Sequence, residues 1–123
     1  MALARLYFRV GDTAARSTAE AAVALSRDNT MSHHLGEALE ILGSIELADG
    51  NKAAAISCLE ESVALWRTRG WHSFHATALT SLGKAYADTD PQAARAALRA
   101  AHALYVQVGN VAMAAEVARL AGC

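Results

Sequence analysis

Residues 79–98 read LTSLGKAYADTDPQAARAAL, and residues 39–59 read LEILGSIELADGNKAAAISCL. Both open on Leu-x-x-Leu-Gly, pass a short polar turn and run into alanine. Leu39, Leu42 and Gly43 return as Leu79, Leu82 and Gly83 at a shift of forty residues. SVALWR from Ser62 repeats AVALSR from Ala22 at the same shift, and AHALYV from Ala101 comes thirty-nine residues after Ser62. One residue is lost at the turn, where ADGNKAAA becomes DTDPQAA. Self-similarity at such a period is the signature of stacked supersecondary units, each unable to bury its apolar face alone.

Each unit reads as two helices. Ala55, Ile56, Leu59, Ser62, Val63 and Trp66 fall on one stripe of a 3.6-residue period, and Ala94, Leu98, Ala101 and Tyr105 form the equivalent stripe in the next unit. Asp12, Asn51 and Asp90 stand where N-caps are expected, with Pro91 suited to a first helical position. Gly70 and Gly109 read as helix breakers, with Trp71 and Asn110 opening the next helices. The pattern predicts an all-α chain of seven helices at about 2–10, 13–28, 32–48, 52–68, 72–87, 91–107 and 111–121. Connections this short imply antiparallel neighbours.

Gly43 and Gly83 lie inside predicted helices, where glycine costs about 0.5–1 kcal/mol relative to alanine. Close approach of a partner helix, opposite Ala55 and Ala94, is the compensating gain expected.

Composition narrows the rest. A chain of 123 residues with 54% hydrophobic and 19% charged residues suits one domain with a packed core. Abundant alanine and a single proline favour helix over sheet. Eleven basic and twelve acidic residues give a formal charge of -1 with no basic block, so direct nucleic-acid binding is not expected. No apolar run reaches the roughly 18–20 residues that span a bilayer, and MALARLYFRVGD lacks the layout of a signal peptide. The expectation is a cytoplasmic protein, outside the membrane, with Cys58 and Cys123 reduced.

With the stripes placed, the pattern resembles the tetratricopeptide repeat, which carries Leu, Gly and Tyr on its first helix and Ala, Phe or Leu, and Ala on its second. Those positions are Leu42, Gly43, Glu46, Ala55, Leu59 and Ser62 in one unit, and Leu82, Gly83, Tyr86, Ala94, Leu98 and Ala101 in the next. A partial unit precedes them, with Leu3 at the glycine position, and AEVARLAGC places Gly122 at that position on a last helix. The resemblance therefore implies one domain over 1–123: a partial repeat at 1–30, repeats at 31–70 and 71–109, and a terminal helix at 110–123. The fold implied is a right-handed α-solenoid of antiparallel helix pairs. A period near forty, lengthened at WRTRGWHSFHAT, is similar to the repeats of bacterial LuxR-type and antibiotic-regulatory (SARP) regulators and signal-transduction ATPases.

Such a solenoid presents a concave wall made by its first helices. By resemblance, the groove that takes a protein or peptide partner is lined by Glu37, Glu40, Ser44 and Leu47, by Thr77, Thr80 and Lys84, and by Glu116 and Arg119, with Tyr7 continuing it and His33 and Ser73 one turn earlier. The alternative for each position is a solvated helix face. Glu37 and Glu40 stand where the family's carboxylate-binding members need cations, so recognition of an acidic tail is not expected.

His72 and His75 share one helical face, and His33 and His34 fall near the equivalent point of the previous unit. No cysteine or carboxylate stands at a spacing that would complete a metal site, so these histidines are expected to pack on Trp66 and Trp71, with no metal and no cofactor. Glu60 and Glu61 diverge around their helix and read as solvated. There is no Gly-x-Ser-x-Gly, phosphate-cradling glycine loop or His-Glu-x-x-His, and Cys58 falls at the edge of a packed face, so the reading is not an enzyme. A protein-interaction scaffold, as part of a transcriptional or signalling regulator, is the function expected. Its rival is self-association, a homodimer formed through the apolar first helix with Leu3, Leu6, Tyr7, Phe8 and Val10.

Overall fold

A computed structural model of the chain describes residues 14–28 and 32–122. Six helices account for nearly all of them: α1 (Ala14–Asp28), α2 (Ser32–Ala48), α3 (Lys52–Arg69), α4 (His72–Tyr86), α5 (Pro91–Gln107) and α6 (Val111–Leu120). No strand occurs among the described residues. These helices match six of the seven expected, with boundaries no more than one residue away. The helix expected at 2–10, together with Asp12 and Tyr7, lies outside the described residues.

Local chemistry sets the boundaries. Asp90 accepts the Ala93 N–H at 3.1 Å with Pro91 in the first turn, and Asn110 accepts the Met113 N–H at 3.1 Å. Asn51 precedes α3 as expected, yet its side chain makes no capping bond. Gly70 ends α3 at φ 70°, the left-handed conformation that costs glycine no Cβ clash, and its N–H donates to the Trp66 and Arg67 carbonyls. Gly122 stands beyond the end of α6 at φ 78°, and among the described residues nothing lies within 4 Å of an added Cβ, so it shapes a helix end.

The crossings lie where the glycines are. A Cβ added at Gly43 would stand 2.6 Å from Leu59 Cγ and 3.3 Å from the Ala55 carbonyl oxygen. At Gly83 the corresponding distances are 2.7 Å to Leu98 Cγ and 3.3 Å to the Ala94 carbonyl oxygen. Two turns back along α2, a Cβ at Gly36 would meet the Trp66 indole at 2.6 Å. Contact positions therefore fall along α2 as they rise along α3, which makes the pair antiparallel.

Each helix packs on its neighbours in sequence, and α2 also touches α4. One core runs through α3 to α6, with Leu59, Trp66, Leu79, Leu98, Tyr105 and Val117 among its members. A smaller one, Ala15 and Ala19 with Ile41 and Ile45, joins α1 to α2. Full burial of each large apolar side chain contributes about 1.5–3 kcal/mol, so the helices hold together chiefly through these stripes.

Ion pairs span the helix seams: Arg16 with Glu46 and Asp49, Arg27 with Glu61 at 2.8 Å, and Lys52 with Asp88 at 3.1 Å. The exposed pairs, Arg27 with Glu61 and Lys52 with Asp88, contribute about 0–1 kcal/mol each, whereas Glu46 is largely buried beneath Arg16. Glu60 and Glu61 do diverge, but toward partners: Tyr86 donates its hydroxyl to Glu60 on one side, and Glu61 pairs with Arg27 on the other. Both carboxylates lie at the surface as expected, and these contacts give each a partner there.

Candidate peptide-binding groove

The direct contact of α2 with α4 creates the candidate site. Ser81 of α4 donates its hydroxyl to Glu40 of α2 at 3.2 Å, tying the two helices together. Beside that bond a cavity of about 230 Å³ is lined by Glu37, Glu40, Trp66, Phe74 and Thr77. Trp66, only 1% exposed, comes from α3 underneath. Its indole is admitted so close to α2 because Gly36 has no side chain, and Ser62 donates to the Gly36 carbonyl at 2.8 Å alongside it.

Aromatic rings extend this floor toward solvent. Trp66 stacks on Phe74 with centroids 4.9 Å apart and on Trp71 with centroids 5.8 Å apart. Phe74 is 41% exposed and Trp71 40% exposed, so the platform is buried at its centre and open at its edges. His33 stands edge-on to all three rings at 5.0–5.5 Å, and the Arg69 guanidinium lies 5.9 Å from the Trp71 ring centroid. Aromatic pairs in such arrangements contribute about 0.5–1.5 kcal/mol beyond the area they bury.

Among the residues expected to line a groove, Glu37, Glu40 and Thr77 come together in this cavity, with His33 against its aromatic floor. Thr77 also donates to the Ser73 carbonyl at 3.0 Å and stands 3.2 Å from the Tyr105 hydroxyl. Ser73 is exposed; Ser44 and Leu47 are half-buried further along α2, with Leu47 packed on the core. Thr80 is 6% exposed and donates to the Ala76 carbonyl at 2.9 Å, so this position is packed and does not face solvent as expected. Lys84 lines a different cavity of about 270 Å³, with Arg95, Leu98 and Leu120 among its walls. Glu116 and Arg119 pair with each other on α6.

Two lining residues lie beyond what the repeat pattern marks as groove. The apolar stripe places Trp66 in the core, which is true of its ring but omits the edge it gives the cavity. Phe74 falls in the inserted stretch between units and carries no periodic signal. Gly36 offers one: a glycine inside a helix implies a close neighbour.

The histidine expectation is corrected in its particulars. Among the described residues, His33 meets the indoles, while His72 and His75 make no ring contact with them. Burial lowers the His75 pKa, with Arg67 and His72 acting in the same direction. Burial pushes the Cys58 thiol up, and Glu61 adds to that more than Arg27 offsets it, the reverse of an activated thiolate. No group of three or more His, Cys, Asp or Glu among the described residues could hold a metal ion. None of the described helices is long and apolar enough to cross a membrane.

No family model, curated protein or solved structure matches the chain.

Proposed function

We propose that the chain is a protein-interaction module of tetratricopeptide type. In this reading the helix pairs stack as a right-handed solenoid, and the first helices of successive units, α2 and α4, form the wall that receives a peptide or a partner helix. Its setting would be a regulatory protein, as the long repeat suggests. The observation that carries the reading is the cavity between α2 and α4. Three residues at inner-wall positions of the repeat, Glu37, Glu40 and Thr77, line one cavity there over a buried tryptophan. A concave site with an apolar floor and a few converging polar groups suits recognition of an extended or helical segment.

Selection of a displayed random-peptide library on the whole chain tests this. The expected outcome is enrichment of peptides whose binding is lost on Thr77→Arg, which fills the cavity, and kept on Arg99→Glu on the exposed face of α5. Failure to enrich any peptide, or enrichment indifferent to Thr77→Arg, would contradict it.

A further inference from the structure

We propose that the α2/α4 cavity receives an arginine side chain presented by the partner. This rests on the groove reading above and names the chemistry of one subsite. At about 230 Å³ the cavity falls below the roughly 300–1,000 Å³ of pockets that enclose cofactors and drug-sized ligands, so it is scaled to a single side chain.

Its walls divide by chemistry. Glu37 and Glu40 stand three residues apart on α2, on the same side of the helix, and supply carboxylates. Phe74, 41% exposed, supplies ring surface, Trp66 a buried ring edge, and Thr77 a hydroxyl. Glu40 is held by Ser81, which fixes its carboxylate at the cavity wall. Among the described residues no side chain pairs with Glu37, which is half-buried at that wall. By contrast Glu46, Glu60, Glu61 and Glu116 all engage partners on the protein. The charge of Glu37 is thus left for a ligand to neutralise.

Arginine answers both halves of this lining. Its guanidinium pairs bidentately with carboxylates and stacks on aromatic faces, while its methylene stem lies along apolar surface. Lysine brings the charge as a compact, strongly hydrated point without the planar face. The protein already sets one guanidinium on this platform, Arg69 5.9 Å from the Trp71 ring centroid, and neither residue lines the cavity. A carboxylate ligand would meet like-charge repulsion from Glu37.

The test titrates the full chain, observed by amide and indole NMR signals, with N-acetyl-arginine amide, N-acetyl-lysine amide and N-acetyl-citrulline amide. The arginine probe is expected to give saturable shifts at Glu37, Phe74, Thr77 and the Trp66 indole. Affinity should fall about tenfold for citrulline, which keeps the shape without the charge, and about tenfold in Glu37→Gln. Phe74→Leu, which keeps the apolar bulk and loses the ring, should weaken the arginine probe several-fold and the lysine probe less. An unchanged melting temperature in each variant shows that the fold is intact. Equal shifts from citrulline, or none at these residues with arginine, would overturn the proposal. Library-selected peptides that bind the groove without a basic residue would also overturn it while leaving the groove reading standing.

Discussion

At the crossing of α2 with α3, Leu59 lies over Gly43; at the crossing of α4 with α5, Leu98 lies over Gly83 in nearly the same geometry. Further along, the two pairs part company. The first sets the large indole of Trp66 against Gly36 and anchors it with a bond from Ser62 to the Gly36 carbonyl. In the second, the equivalent positions are Ala76, Tyr105 and Ala101, and the phenol hydroxyl finds Thr77 instead. Ring size and backbone clearance have thus changed together: a larger ring goes with a glycine, a smaller one with an alanine. The first pair also gains the aromatic floor on which the cavity rests.

That comparison is open to attack at several strengths. Trp66→Ala should cost the most, about 3–5 kcal/mol, because it empties a fully packed position, and a urea titration showing a loss under about 1 kcal/mol would deny the ring its structural role. Next come Gly43→Ala and Gly83→Ala. Each drives a methyl into a leucine branch point, an overpacking cost of about 1–3 kcal/mol that is partly offset by about 0.5–1 kcal/mol of gained helix propensity. The two losses should agree within about 0.5 kcal/mol; a clear inequality would show that the crossings are not copies.

Smaller effects separate the helix starts. Asp90→Ala should cost about 1 kcal/mol, since its carboxylate holds the Ala93 N–H, whereas Asn51→Ala, which deletes no capping bond, should stay within about 0.5 kcal/mol of wild type by thermal denaturation.

The smallest effect concerns pH. His75 is held below its ordinary value of 6.5, so the unfolded chain binds this proton more readily than the folded one. Its stabilising contribution is complete above about pH 6.5 and is lost as pH falls from there through the lower folded-state value. In His75→Gln, melting temperatures recorded across that window should show a shallower acid-side decline.

Legibility in the sequence tracks the period. The helix boundaries are readable because apolar residues recur every three or four positions and because Asp90, Pro91, Gly70 and Asn110 have conformational preferences that act locally. The site is legible only where it coincides with the repeat. Glu37, Glu40 and Thr77 fall at equivalent turns of α2 and α4, and the structure brings them to one cavity. Phe74 and the partnership of His33 with three rings depend on how the inserted residues between α3 and α4 fold back, which no period encodes. Thr80 shows the limit of the same rule: its place in the repeat equals that of Glu40, yet it is buried and back-bonded to Ala76.

The covariation of ring and clearance is tested most directly by grafting the second pair's solution into the first, as a double-mutant cycle of Gly36→Ala and Trp66→Tyr read by urea denaturation. Gly36→Ala alone should lose about 1–3 kcal/mol, because the added methyl meets a rigid indole. With Trp66→Tyr present, most of that loss should vanish, a coupling of at least about 1 kcal/mol between the two positions. Strictly additive losses would mean that Gly36 is not there to make room for Trp66, and the account of the two helix pairs as one joint fitted with different rings would be wrong.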